Sequence, residues 1–143
     1  MRRSAQAATI GFAALAVFEA ALAAGAPLGD AAWGGSAAHL TTGQRVASAA
    51  TAALWLVAIA VVRGRDAGLA ARRYRWGTWG LVALLGVSAL VNVASESAWE
   101  NYLLAPVALV LAGLCGVVAY NAGFPAHGRD NSANGSRRHP LAS

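Results

Sequence analysis

The chain has 143 residues, 57% of them hydrophobic and only 12% charged, with a net charge of +5 and a mean hydropathy of +0.50. Soluble domains carry about 25% charged residues, so this composition cannot coat a water-facing surface and points to an integral membrane protein of one compact domain. All eleven basic residues are Arg. They lie between apolar runs rather than in one patch, which argues against nucleic-acid binding. The single cysteine, Cys115, sits in an apolar run, can form no intramolecular disulfide, and reads as a small buried hydrophobe.

Met1-Arg2-Arg3 precedes a first apolar span at about residues 5–24, long enough to cross about 30 Å of hydrocarbon. A cleaved signal peptide would share the basic start and an Ala21-Leu22-Ala23 triplet, but Glu19 interrupts the apolar core and the run is long for one. Gly25, Pro27 and Gly29 end the span. A loop with Asp30, Trp33, His39 and a Thr41-Thr42-Gly43 turn signal follows. The second span covers about 45–62, extendable by a turn on the Thr41–Thr42 side. A basic connection, Arg63 to Arg75, leads to the third span at about 77–94. The short acidic connection from Ala94 to Asn101 leads to the fourth, at about 102–120. Pro106 lies in its first turns, where a missing backbone donor costs least. Residues 1–124 thus form the transmembrane domain. Residues 125–143, polar and without periodicity, read as a disordered cytoplasmic tail.

With four spans, ten arginines fall on one side and only Arg45 on the other. The positive-inside rule then places both termini and the Arg63–Arg75 connection in the cytoplasm. Trp33, Trp99 and Tyr102 mark the outer interface; Tyr74, Trp76, Tyr120 and Phe124 mark the inner one. The expected fold is all-α: an integral membrane four-helix up-down bundle in the inner (plasma) membrane. Its partners are the bilayer itself, anionic inner-leaflet lipids at Arg63–Arg75, and a second copy or another membrane protein. Small residues at Ala16, Ala20 and Ala24, and at Ala108, Ala112 and Gly116, offer stripes for close helix approach, although Ala is abundant throughout.

Chemistry concentrates on one residue. Glu19 is a carboxylate inside an apolar span, which is costly and is by default a functional candidate. It lies about six residues before Gly25, hence roughly 9 Å below the outer boundary at about 1.5 Å per residue. On the third helix, Ser88, Asn92 and Glu96 share a face at helical spacing and rise from the same depth. A polar cluster of Glu19, Ser88, Asn92 and Glu96 in the outer half of the bundle is therefore expected. Asp30, Trp33, His39, Trp99 and Glu100 would stand in the loops above. A neutral Glu19 could donate a hydrogen bond to Ser88 or Asn92, or exchange its proton with a cationic ligand. The plainer role is an interhelical hydrogen bond that fixes packing, contributing about 1 kcal/mol. His39 with the loop acids has no metal-ligand spacing, and no nucleophile elbow, P-loop or dinucleotide fingerprint occurs. A non-enzymatic protein without cofactor or metal is expected, with a membrane enzyme using His39 as the remote alternative.

Through Gly25–Gly35 (GAPLGDAAWGG) and Ser97–Ala112 (SAWENYLLAPVALVLA) the chain resembles small bacterial integral membrane proteins of uncharacterised function, over roughly Phe12 to Val118. That resemblance implies four helices and no established activity. Through Glu19 it is also similar to the small multidrug resistance transporters, four-helix chains with a membrane-embedded Glu in helix one. This likeness implies a carboxylate that carries substrate and proton alternately. The chain departs from them in its second span, which lacks an aromatic/Gly-rich packing motif. It departs again in its third, which offers Gly86-Val87-Ser88 in place of a Gly-Val-Gly hinge, and in its steep charge bias.

Overall fold

The computed structural model describes residues 2–35, 38–67, 69 and 72–121. Among these residues there are four long helices and no strand. Helix α1 spans Arg2–Ala24, α2 Thr42–Asp66, α3 Arg72–Val93 and α4 Ala105–Asn121. Two short 3-10 turns, Gly29–Ala31 and Trp33–Gly35, fold the first connection, and one π-helical stretch, Glu100–Leu104, leads into α4. Each of the four helical segments is long and apolar enough to cross a membrane. The tail at 125–143, with the inner-interface marker Phe124, lies outside the described residues.

The helix ends follow from local chemistry. Helix α1 stops in a Schellman motif: Gly25 takes φ +96°, its N–H bonds the Leu22 carbonyl, and the Ala26 N–H bonds that of Ala21. Ala23 presents the next free carbonyl, and Arg45 Nε donates to it at 2.9 Å. The one arginine expected on the outer side is thus a C-terminal cap for α1. Helix α2 opens with a capping box. Thr41 N–H donates to Gln44 Oε1 at 2.9 Å, and Gln44 N–H donates to Thr41 Oγ1 at 3.3 Å. This starts the helix at Thr42, and at its other end it runs on to Asp66, beyond the expected end at residue 62. Arg63 and Arg65 therefore belong to its last turn, and Arg72, Arg73 and Arg75 to the first turn of α3. Arg65 turns inward and is only 6% exposed.

Helix α1 packs mainly on α2 and α3 mainly on α4; α1 also meets α4, and α2 meets α3. Helices α1 and α3 are thereby diagonal neighbours. The core is built from Ala5, Ala8, Phe12 and Ala16 of α1, Trp55, Ala58 and Val62 of α2, Leu81 and Leu85 of α3, and Leu111, Cys115 and Val118 of α4. Phe12 stacks on Trp55 with ring centroids 5.5 Å apart. The small-residue stripe of α1 is therefore displaced from its expected place. Ala16 is buried, but Ala20 and Ala24 are exposed, and the close approach to α4 occurs at Gly11. A Cβ there would stand 2.6 Å from Leu111 Cδ2. Outside this core the helices remain apolar: Ile10, Val17, Leu90 and Tyr102 are 71%, 71%, 72% and 81% exposed. Only 22% of each of the first three spans and 33% of the fourth is buried within the bundle. Apolar surface on that scale needs an apolar solvent.

Candidate functional site: a capped cavity at Glu19

The first and third connections are tied together over one end of the bundle. Gly34 N–H donates to Glu100 Oε1 at 3.0 Å, and the Ser95 hydroxyl donates to Glu100 Oε2. Ser97 Oγ donates to the Asp30 carbonyl at 3.1 Å. The turn that makes this possible has three successive residues at positive φ: Trp33 at 56°, Gly34 at 79° and Gly35 at 68°. Glycine takes that region freely, whereas a tryptophan there is strained and must be held by its surroundings. What holds Trp33 is its indole: Nε1–H donates to Ser48 Oγ at 3.2 Å.

Ser48 is fully buried in the second turn of α2, and its hydroxyl also hydrogen-bonds the Glu19 side chain. A relay from Trp33 through Ser48 to Glu19 thus joins the cap to the carboxylate of α1. The other carboxyl oxygen, Oε2, is buried and has no hydrogen-bond partner. Glu19 also lines a cavity of about 450 Å³, together with Phe18 of α1, Thr51 and Trp55 of α2, Ser88 and Asn92 of α3, and Trp33 and Glu100 from the cap. Trp55 Nε1 is likewise buried and unpartnered. Among the described residues its lining is aromatic, aliphatic and polar, with Glu19 and Glu100 as its acids and no basic side chain.

The structure brings Glu19, Ser88, Asn92, Trp33 and Glu100 to this cavity. Glu96 does not join them. Helix α3 ends at Val93, so the stripe of Ser88 and Asn92 is not continued, and Glu96 stands exposed in the connection. The partner of Glu19 is Ser48 rather than Ser88 or Asn92, because α1 lies against α2 and diagonal to α3. Asp30 is exposed and contributes only its backbone carbonyl. His39 and Trp99 are exposed and do not line the cavity. No group of three or more His, Cys, Asp or Glu that could hold a metal occurs among the described residues. Sequence reasoning missed Ser48. The signal was present: Ser48, Thr51 and Trp55 recur at helical spacing on one face of α2, the same argument that picks out Ser88 and Asn92 on α3.

No protein-family model, curated protein or solved structure matches the chain.

Proposed function

We propose that this chain is a multi-pass protein of the inner membrane, an up-down bundle with both termini in the cytoplasm, and that it binds a small molecule in the capped cavity at Glu19 rather than catalysing a reaction. The orientation is supported by the arginine bias; in that orientation the cavity opens in the outer half. One observation carries the binding reading: a cavity of about 450 Å³ lined by Glu19, whose carboxyl oxygen Oε2 is buried without a donor. An unmet acceptor in a low-dielectric site is costly, and turning the Glu19 carboxyl toward a ligand that donates to it relieves that cost. Trp33, Trp55 and Phe18 offer ring surface for an apolar body and a cation–π contact, and Ser88 and Asn92 offer polar contacts to the same molecule. The chemistry that fits is an aromatic or aliphatic amine bearing a hydroxyl or carbonyl.

The test is a titration of the purified chain in lipid nanodiscs, read by tryptophan emission. Phenylethanolamine should perturb the emission saturably, while benzoate and benzyl alcohol should not. Glu19→Gln should weaken the amine by about tenfold, the loss of one charge-assisted hydrogen bond. Equal responses to all three compounds, or an unaffected Glu19→Gln variant, would refute the reading. Proton-coupled transport rests on the same free oxygen, which can hold and release a proton. It additionally requires pH-dependent uptake or efflux that Glu19→Gln abolishes.

A further inference from the structure

A second depression lies at the opposite end of the bundle, between the first turns of α1 and the last turns of α2. It measures about 580 Å³ and is lined by Arg2, Gln6, Thr9 and Ile10 from α1 and by Arg63 and Asp66 from α2. Arg2 precedes Glu19 by 17 residues, roughly 25 Å along the helix. Under the proposed orientation the groove therefore sits at the cytoplasmic interface. Two guanidinium groups from different helices line it, and the first turn of α1 carries no acidic residue to compete for its free N–H groups. Thr9 spends its hydroxyl hydrogen on the Ala5 carbonyl at 2.8 Å, so the donors left are the arginines, the Gln6 amide and the helix end. Two arginines against Asp66 leave one net positive charge, the complement of one phosphodiester. One turn deeper, Ile10 is 71% exposed and continues the groove as apolar wall, where an acyl chain would run.

We propose that this groove holds the phosphate-bearing headgroup of an anionic lipid, with the phosphodiester between Arg2 and Arg63 and the headgroup hydroxyls donating to Asp66. Arginine is suited to this because its planar fork meets phosphate oxygens in pairs. Asp66 selects a hydroxyl-bearing headgroup, such as the glycerol of phosphatidylglycerol, over a bare phosphate monoester, which would place its second negative charge beside the carboxylate. The site is distinct from a diffuse attraction of the basic face for the inner leaflet, because it names two arginines and exempts the others. It does not depend on the outer cavity.

Native mass spectrometry of the full chain released from nanodiscs of mixed phosphatidylglycerol and phosphatidylcholine tests it. Phosphatidylglycerol should be retained preferentially. Losing one arginine's charge-assisted hydrogen bond to the phosphate is about a fivefold effect, so Arg2→Gln or Arg63→Gln should lower that preference about fivefold and the pair about 25-fold. Arg72→Gln with Arg73→Gln, outside the groove, should leave it within about twofold, as should Glu19→Gln. Should the double variant lose its helical circular dichroism, Arg2→Gln alone, at an exposed helix end, decides by the same fivefold criterion. Wild-type retention in the Arg2 and Arg63 variants overturns the proposal, as does an equal loss in the Arg72/Arg73 pair. If inorganic phosphate binds with the same Arg2 and Arg63 dependence while phosphatidylglycerol shows no preference, the occupant is the free anion and the lipid assignment falls.

Discussion

At the scale of single residues, the capped end of the bundle depends on one hydroxyl. Ser48 accepts from the Trp33 indole and bonds the Glu19 carboxyl, so its removal takes a hydrogen-bond partner from both. Ser48→Ala should cost about 1 kcal/mol of stability in detergent. Trp33→Phe, which keeps the ring and loses the N–H, should cost less, and the two changes together should cost less than their sum because both delete the same bond. Chemical unfolding of the four variants completes the cycle; strict additivity would mean that the Trp33–Ser48 bond contributes nothing. Gly25 makes a second residue-level claim. At φ +96°, Gly25→Ala should destabilise by about 1 kcal/mol through backbone strain. The sequence told that Glu19 was exceptional, because an acid in an apolar run contradicts its own surroundings. It did not tell which hydroxyl would meet it. A small Ser in an Ala-rich helix is compatible with either face, and only the pairing of α1 with α2 decides.

At the scale of elements, the differences between expectation and structure come from helix ends. Hydropathy locates the apolar middle of a span, whereas ends are set by caps and breaks. The capping box of Thr41 and Gln44 and the persistence of α2 to Asp66 lengthen a segment whose apolar run is shorter. Conversely, α3 stops at Val93, and the Asn101 side chain donates to the Val93 carbonyl at 2.9 Å, so the polar stripe ends one turn short of Glu96. The entry to α4 widens into a π turn over Glu100–Leu104, with the Ala105 N–H reaching back to the Glu100 carbonyl. Pro106, which has no N–H and crowds the carbonyl four residues before it, accounts for this local departure from the α-helical ladder. That turn places Glu100 where it receives Gly34. Glu100→Ala should therefore release the first connection. Hydrogen exchange at the Gly34 amide should accelerate by at least about tenfold, while amides in the core of α1 and α2 stay protected. Unchanged exchange at Gly34 would mean that the latch is not what orders the cap. On α1, Gly11→Leu should separate α1 from α4 and destabilise by about 1–3 kcal/mol, as overpacking does.

At the scale of the whole molecule, four spans were legible because composition and length leave few alternatives: a chain 12% charged cannot hide its apolar surface from water. The order of helix contacts was not legible, since nearly every face of these helices is apolar and lipid does not select one for the core. Orientation rests on the arginine bias. Reporter fusions after Asn101 should read as external and those after Ala70 and Ser143 as cytoplasmic; an external reading at Ala70 would invert the bundle. Cys115, fully buried in α4, should resist a membrane-impermeant maleimide added outside intact cells. The central claim joins orientation to the cavity, and one labelling experiment addresses both. Asn92 lines the cavity one residue from the C-terminal end of α3. In a Cys115→Ala background, Asn92→Cys should react with an impermeant maleimide from the outside, and saturating phenylethanolamine should slow that reaction by at least about tenfold. Labelling only after permeabilisation, or at a rate indifferent to the amine, would contradict an outward-opening site at Glu19.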